Sequence, residues 1–500
     1  MLFQLFAAQG LLFAPTRPAI RPTRAAVPSS RGAAYAPSLV ATFPDAAVAA
    51  PEPTGRDEWA KHLDYDAFRK EVHELGQRLA NEQGPADVAH LKKMIAWSNA
   101  CGLLGMSLMW SSGPLRWLSI FGLSTWTCTR WTMIGHHICH GGYNRQDSKQ
   151  AGGSGRFTSV GFAVGNVYRR ARDWFDWMLP EAWNVEHNNL HHYRLGESGD
   201  PDLVERNLEL MREIRLPRPL KYLAVAGLAA MWKWYYYAPN TYKQLKIAQL
   251  RKQGRTFTEE EAHAPFTLPV ALLDPAECKK YGTGPIDFMK TVMGPYLALR
   301  FLLLPSPLLL VPGVGAAFYR AAVVNLLLSD VLSNMHSFLI IATNHCGDDM
   351  YAFDRSVTPR SGSFYMRAIT SSANFRTSNG IDPRTGKARP VHGHTADLND
   401  FFHGWLNYQV EHHMYPQLSM LSYQKAAPQV REICERHGVP YIQQSVFKRL
   451  KKTADIMVGA TSMPQFHRSW EYEKDVFTWD DQKTAKAAEE IKSSNDGESW

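Results

Sequence analysis

Three histidine clusters constrain this chain more than any other feature: His136-His137-Ile138-Cys139-His140, His187-Asn188-Asn189-Leu190-His191-His192 and Gln409-Val410-Glu411-His412-His413. Histidine accounts for 19 of 500 residues, so three clusters at helical spacing, each at the edge of an apolar or aromatic region, need a common cause. On a helix turning about 100° per residue, His136 and His140 project from one face, as do His187 with His191 and Gln409 with His413. One ion can bridge each such pair. Imidazole suits iron, zinc or copper, and the box histidines outnumber the three or four that one ion uses, so the spacing points to two ions. The cysteines (Cys101, Cys128, Cys139, Cys278, Cys346, Cys434) form no Cys-x-x-Cys, which argues against a zinc ribbon, a haem attachment motif or an iron-sulfur site.

The fold class follows from where the clusters sit among the apolar segments. Met94 to Trp110 and Leu115 to Ile134 are separated by Ser-Ser-Gly-Pro, and Pro295 to Val314 and Ala316 to Thr343 form a second pair divided by Pro and Gly. This predicts an all-α integral membrane protein with four transmembrane helices in two hairpins. The connections inside each hairpin, Ser111 to Pro114 and Pro305 to Gly315, carry no charge, whereas the segments after each pair are rich in Lys and Arg. The positive-inside rule puts Arg145, Arg169, Arg170 and Arg172 on the same side as Arg355, Arg360 and Lys387. All three clusters fall on that side, in a helical, histidine-rich cap that also reconciles a mean hydropathy of -0.30 with a polytopic chain. Leu220 to Tyr237 reads as an interfacial helix, Asn240 to Gly284 as a surface excursion, and the chain beyond Pro464 as a solvated tail.

Met1 to Pro44 contains no Asp, Glu or Lys, while Arg17, Arg21, Arg24 and Arg31 sit among alanines, serines and prolines. This is the composition of an organelle transit segment, and Leu12-Phe13-Ala14-Pro15 resembles the junction of leaders that target complex plastids. The expected layout is a leader over 1–50, a soluble segment over 51–93, a membrane catalytic domain over 94–460 and a charged tail over 461–500. A plastid membrane is the expected location, with the endoplasmic reticulum or mitochondrial import as alternatives. The net charge of +8 suits anionic lipid headgroups, and no basic stripe or recognition motif points to nucleic acid. Scattered cysteines fit a reducing compartment.

The boxes resemble those of the integral-membrane fatty acid desaturases, His-x3-4-His, His-x2-3-His-His and (His/Gln)-x-x-His-His. Gly404-Trp405-Leu406-Asn407-Tyr408-Gln409-Val410-Glu411-His412-His413-Met414-Tyr415-Pro416 is similar to the third box of the front-end branch, in which glutamine replaces the first histidine. The resemblance runs from about residue 95 to about residue 445. Two features depart from the front-end pattern: His137 stands where many relatives have aspartate, and box two has a three-residue spacer. The resemblance implies a di-iron site that uses O2 to introduce a cis double bond into an acyl chain, with His136, His140, His187, His191, His192, His412 and His413 as ligands. It also implies His345, in Asn344-His345-Cys346-Gly347, as a further ligand. Neutral imidazoles need orienting partners, and Glu186, Asn188, Asp200, Asn407 and Glu411 are placed for that, with Gln409 and His137 beside the ligands.

The chain has no His-Pro dipeptide and so no fused cytochrome b5 haem motif of the type that front-end relatives carry. The electron donor is expected to be a separate protein: ferredoxin in a plastid, free cytochrome b5 in the endoplasmic reticulum. The Arg169-Arg170-Ala171-Arg172 run is a candidate docking patch for a lipid headgroup or an acidic donor. An acyl chain on a membrane glycerolipid is the expected substrate. A di-iron hydroxylase or ketolase is the alternative of the same chemistry, and a histidine-rich metal-binding or transport protein the alternative of another class. Transport is disfavoured because the clusters gather on one side and the spans hold few charges.

Overall fold

The computed structural model describes residues 52–376 and 394–477. The leader expected over 1–50, Lys387 and residues 478–500 of the expected tail lie outside the described residues. Helix α1 (Tyr65–Glu82) starts where the Asp64 carboxylate accepts from the backbone N–H groups of Asp66 and Ala67 at 3.1 and 3.0 Å, a cap for donors that the helix leaves open. Its buried Phe68, Val72, Leu75 and Leu79 recur every three or four residues and form one apolar stripe. The stripe packs into the cap, where the Tyr415 hydroxyl donates to the Val72 carbonyl at 2.7 Å.

Helices α2 (Pro85–Ser107) and α3 (Arg116–Thr129) run antiparallel and nearly touch through glycines. A Cβ at Gly105 would lie 2.6 Å from the Leu123 nitrogen, and one at Gly122 2.6 Å from the Cys101 carbonyl oxygen. Polar side chains within the pair are satisfied internally: Ser98 meets Thr129 at 2.8 Å, and Ser119 donates to the Gly105 carbonyl at 2.7 Å. Small residues with internal hydrogen bonds are how helices pair without a hydrophobic drive. Leu103, Leu104, Trp110, Trp117 and Phe121 are exposed on the outside of the pair.

After box two come α4 (Arg218–Ala229) and α5 (Ala238–Lys252). The stretch read as a surface excursion is partly core, since Asn240, Thr241, Tyr242, Lys243 and Gln244 are buried. Lys243 becomes tolerable inside because it donates to the carbonyls of Ala262 and Ala264 at 2.7 and 2.6 Å, a solution that composition does not display.

Among the described residues, two helices are long and apolar enough to cross a membrane: α6 (Pro285–Leu310) and α7 (Gly315–Ile341), the latter running on through a tighter turn to Asn344. The α2–α3 pair falls short of that measure because α2 opens with Asp87, Lys92 and Lys93, and α3 is rich in Ser and Thr. The expectation that the spans hold few charges misses one buried pair, Arg300 Nε to Asp330 Oδ1 at 2.8 Å, joining α6 to α7. Tyr296 and Trp177 also donate to Asp330, at 2.8 and 3.0 Å. Arg170 is buried and donates to the carbonyls of Asp176, Trp177, Thr291 and Val292. The Arg169–Arg172 run is therefore divided: Arg170 clamps the interior, Arg172 pairs with Asp173 at 2.5 Å, and Arg169 stays exposed.

Helices α8 (Gly362–Thr370), α9 (His394–Phe402), α10 (Gln409–Met414), α11 (Met420–His437) and α12 (Val446–Met457) complete the cap. Strands are minimal. β1 (Ser356–Val357) pairs antiparallel with β4 (Val476–Phe477), and β2 (Asn374–Phe375) pairs parallel with β3 (Gln443–Gln444). Residues 461–477 are not a solvated tail. Phe466 is buried and Glu471 takes the Arg367 guanidinium bidentately at 2.7 and 2.8 Å, so the charge that looked solvent-bound in the sequence is half of an internal pair.

Candidate metal centre

Each histidine cluster sits where a helix changes its winding. Helix α3 passes through a wide π turn, Arg130–Gly135, before the short helix His136–Cys139. A second π turn, Asn184–Asn188, carries His187, and a tight turn, His191–Tyr193, follows. Such turns re-aim side chains that regular winding would distribute around the helix. Box three begins after two left-handed residues, Gly404 (φ 62°) and Trp405 (φ 61°). Glycine is required at 404, where a Cβ would meet Ile340 Cδ1 at 2.9 Å and Thr132 Oγ1 at 3.0 Å. Trp405 is held in its costly conformation by full burial and a bond from its indole to the Met420 carbonyl at 2.8 Å.

The eight histidines named from spacing and resemblance gather in two groups, His136, His140, His187, His192 and His412 in one and His191, His345 and His413 in the other. In the larger group four Nε2 atoms close a ring. His136 to His412 is 2.8 Å, His412 to His192 3.0 Å, His192 to His187 3.3 Å and His187 to His136 3.1 Å. A square ring with sides of this mean length has a half-diagonal of roughly 2.2 Å, close to the distance at which imidazole nitrogen holds a first-row divalent ion. The fifth, His140, buries an Nε2 with no hydrogen-bond partner against the same ring. In the smaller group His345 Nε2 lies 3.0 Å from His413 Nε2, and the Gln409 amide touches both, at 3.1 and 2.9 Å. Each Nε2 carries one hydrogen or one lone pair and so cannot be paired with both of its ring neighbours by N–H···N bonds, which makes the larger donor set fit a metal ion, as the grouped nitrogens of the smaller set also do.

The other ring nitrogen fixes the tautomer in several of these residues. Nδ1 donates to the Thr132 carbonyl from His136 at 3.2 Å and to the Ile341 carbonyl from His345 at 2.9 Å. Both acceptors lie four residues back, on carbonyls at the end of a helix. His191 Nδ1 meets the Asp200 carboxylate at 2.8 Å. With Nδ1 protonated, Nε2 is left as a donor to metal. Burial, followed by the neighbouring imidazoles, drives His136, His140, His187, His192, His412 and His413 well below the ordinary histidine value. Burial first lowers His345 to about 3. The site thus keeps neutral imidazole, the ligating form. His191 differs: burial pushes it down, but Asp200 and Asp202 outweigh burial and raise it.

The expected orienting residues divide. Asp200 and Gln409 touch ligand nitrogens. Glu186 instead accepts from the Tyr237 hydroxyl at 3.4 Å, and burial with Asp202 and Asp200 nearby pushes its carboxyl well above the ordinary range. Asn188 donates to the Cys139 carbonyl and Asn407 to Asp400. Glu411 accepts from Asn374 and Tyr441 at 2.8 and 2.7 Å, and burial raises it to about 7. His137 is fully buried, donates from Nδ1 to the Met133 carbonyl at 2.6 Å and is lowered by burial to about 4; it belongs to neither group. Sequence reasoning missed Asp202, which gathers with His187 and His191, and Tyr423, whose hydroxyl lies 3.3 Å from His412 Nδ1. The Asp200-Pro201-Asp202 repeat was a usable signal for Asp202; Tyr423 carried none.

A family model described as fatty acid desaturase matches residues 111–445, a stretch that holds all eight histidines. The chain belongs to the fatty acid desaturase family. This desaturase-family chain is 22% identical over 395 residues to an NADPH-dependent stearoyl-CoA 9-desaturase of Mycobacterium tuberculosis, covering 78% of this chain and 76% of that protein. It is 39% identical over 70 residues to the mouse fatty acid desaturase 2-like protein FADS2B and 34% identical over 70 residues to human fatty acid desaturase 3. Each of those stretches covers 13% of this chain, and they span only 14% and 16% of the relatives' lengths. No solved structure matches the chain.

Proposed function

We propose that this protein is an O2-dependent acyl-lipid desaturase whose two histidine groups each hold one iron. The closed ring of Nε2 atoms carries the reading, because a packing role for these histidines would not bring four imidazole nitrogens together in one ring. When bound, iron at these positions supplies the O2-dependent oxidising chemistry that an unactivated alkyl chain requires. The chain's own residues supply the rest. Backbone carbonyls and Asp200 orient the imidazoles, Trp183 stacks on His187 with ring centroids 4.5 Å apart, and buried Trp131, Trp174 and Trp183 keep bulk water from the larger group.

Membrane placement with four spans is part of the proposal. Its support is the apolar surface exposed on α2 and α3, which matches that on α6 and α7, where Leu302, Leu303, Leu310, Val324 and Leu327 face outward. The electron donor is a separate protein, ferredoxin if the N-terminal segment directs the chain to a plastid and cytochrome b5 if the chain resides in the endoplasmic reticulum. The substrate is an acyl chain on a glycerolipid. The mycobacterial relative is named for a stearoyl-CoA substrate, which makes a thioester the competing class.

The test is fatty-acid analysis of a host expressing the chain beside a His412→Ala control, with lipid classes and thioesters separated. A new unsaturated acid that disappears in the control supports the reading, and its earliest appearance assigns the substrate class. An oxygenated product would move the assignment to a hydroxylase.

A further inference from the structure

A cleft of about 1010 Å³ lies outside the histidine site, between the α1–α2 junction and the loop that follows box one. One wall is built by Gln83, Val88 and Lys92, the other by Arg145, Gly153 and Arg156. Three of these six residues are cationic. Lys92 and Arg145 are exposed, and among the described residues neither forms an ion pair; Arg145 reaches only the Ala80 carbonyl, at 3.4 Å. Arg156 is committed to Asp173 at 2.7 Å.

The cleft's one acidic residue is already spent. Asp147 is buried and accepts from the backbone N–H groups of Ser154 and Phe157 at 3.0 and 2.8 Å and from the Ser154 hydroxyl at 2.8 Å. Burial raises its carboxyl, but these donors, together with the nearby charge of Lys92, outweigh burial and hold it below its ordinary value. The carboxylate therefore shapes the loop and is spent on backbone and Ser154 donors, with Lys92 near it but not ion-paired, so the exposed heads of Lys92 and Arg145 can still meet a ligand.

Position along α2 identifies the kind of anion. Lys92 precedes the exposed apolar residues Leu103 and Leu104 by about 16 Å of helix rise, and the half-buried Trp97 lies between them, with Lys93 over its ring at 4.8 Å. Lys93 is tied to Asp397 at 2.5 Å, but an exposed Lys92 followed by Trp and then exposed leucines is the order met in passing from water through headgroups into hydrocarbon. This rests on the membrane placement of α2 proposed above, and at that depth of a membrane the abundant anion is phosphate. We propose that this cleft binds a phosphate-bearing lipid headgroup, with Lys92 and Arg145 as its charged contacts. The site is separate from the metal centre, and its test does not depend on product formation.

The experiment titrates the purified full-length protein in detergent with dioctanoyl phosphatidylglycerol, uncharged dioctanoylglycerol and inorganic phosphate, following the melting temperature. The expected result is saturable stabilisation by the phospholipid and none by dioctanoylglycerol. In the double variant Lys92→Glu/Arg145→Glu the midpoint should weaken by at least about tenfold, since each contact is charge-assisted. If the reversal lowers stability without ligand, Lys92→Gln/Arg145→Gln gives the same comparison without added repulsion. Stabilisation by inorganic phosphate that is lost in the same variants identifies the phosphate group itself as the recognised element; response to the phospholipid alone identifies the lipid. Equal responses of wild type and variants to phosphatidylglycerol, equal responses of wild type to the charged and uncharged lipids, or no response of wild type at all would overturn the proposal.

Discussion

At the scale of the residue, the site works by fixing one nitrogen of each imidazole so that the other is committed. Asp200 does this for His191 with a charged acceptor, whereas His136 and His345 use carbonyls of their own helices. Asp200→Asn keeps the shape but removes the charge. It should weaken metal retention about 10- to 100-fold, measured as iron remaining after dialysis against a graded chelator; unchanged retention would show that Asp200 orients nothing. The ligands were legible in the sequence because helical spacing and an i, i+4 face are encoded in residue order. The orienting partners were less so. Glu186, Asn188, Asn407 and Glu411 are adjacent to box residues in sequence, yet adjacency along a helix turns a side chain away from its neighbour's face. The acceptors that serve His136 and His345 are backbone carbonyls, which carry no mark in a sequence.

At the scale of the element, close glycine contact and buried charge hold the helices in register. Gly122→Leu would drive a side chain into the Cys101 carbonyl and should cost about 1–3 kcal/mol, seen as a lower melting temperature in detergent. Between α6 and α7, Asp330→Ala leaves Arg300 buried without its partner and should cost about 3–5 kcal/mol. Replacing both residues by leucine should recover most of that loss, and failure of the double variant to recover would argue against an ion pair. A third contact ties α9 to α2, where Lys93 meets Asp397 at 2.5 Å with His90 at 3.5 Å. Burial raises the Asp397 carboxyl, but the nearby His90 and the bonds from Lys93 and Gln424 outweigh it and hold the group below its ordinary value. Its contribution to stability is therefore present above about pH 4 and is lost as the pH falls below that. Melting curves of Asp397→Asn should lack this component of acid sensitivity, while a variant with the wild-type pH profile would exclude the tether. None of these pairs was legible in the sequence, since their partners lie in different elements and periodicity reports one helix at a time. Residues 461–477 failed for the same reason, with Glu471 finding Arg367 from far along the chain.

At the scale of the whole molecule, interleaving of apolar segments and boxes was enough to foresee a helical body whose histidines converge, and the structure brings all eight named histidines together in two groups. Of the four spans expected from the sequence, two helices, α6 and α7, are long and apolar enough to cross a membrane; α2 and α3 satisfy their Ser and Thr groups against each other while exposing apolar side chains, and their crossing is part of the proposal. Single cysteines placed at Ser112 and Gly313 should react with a membrane-impermeant maleimide from one side of sealed vesicles, and cysteines at Lys149 and Lys452 from the other; labelling of Ser112 and Lys149 positions from the same side would remove the first hairpin from the membrane. The central claim is that a ring of four Nε2 atoms with His140, and a second group of three histidines with Gln409, each hold an iron. It is tested most directly by metal analysis of the protein purified without added zinc. The account predicts two irons per chain, falling to one in His345→Ala; a single ion per chain, or zinc in place of iron, would contradict it.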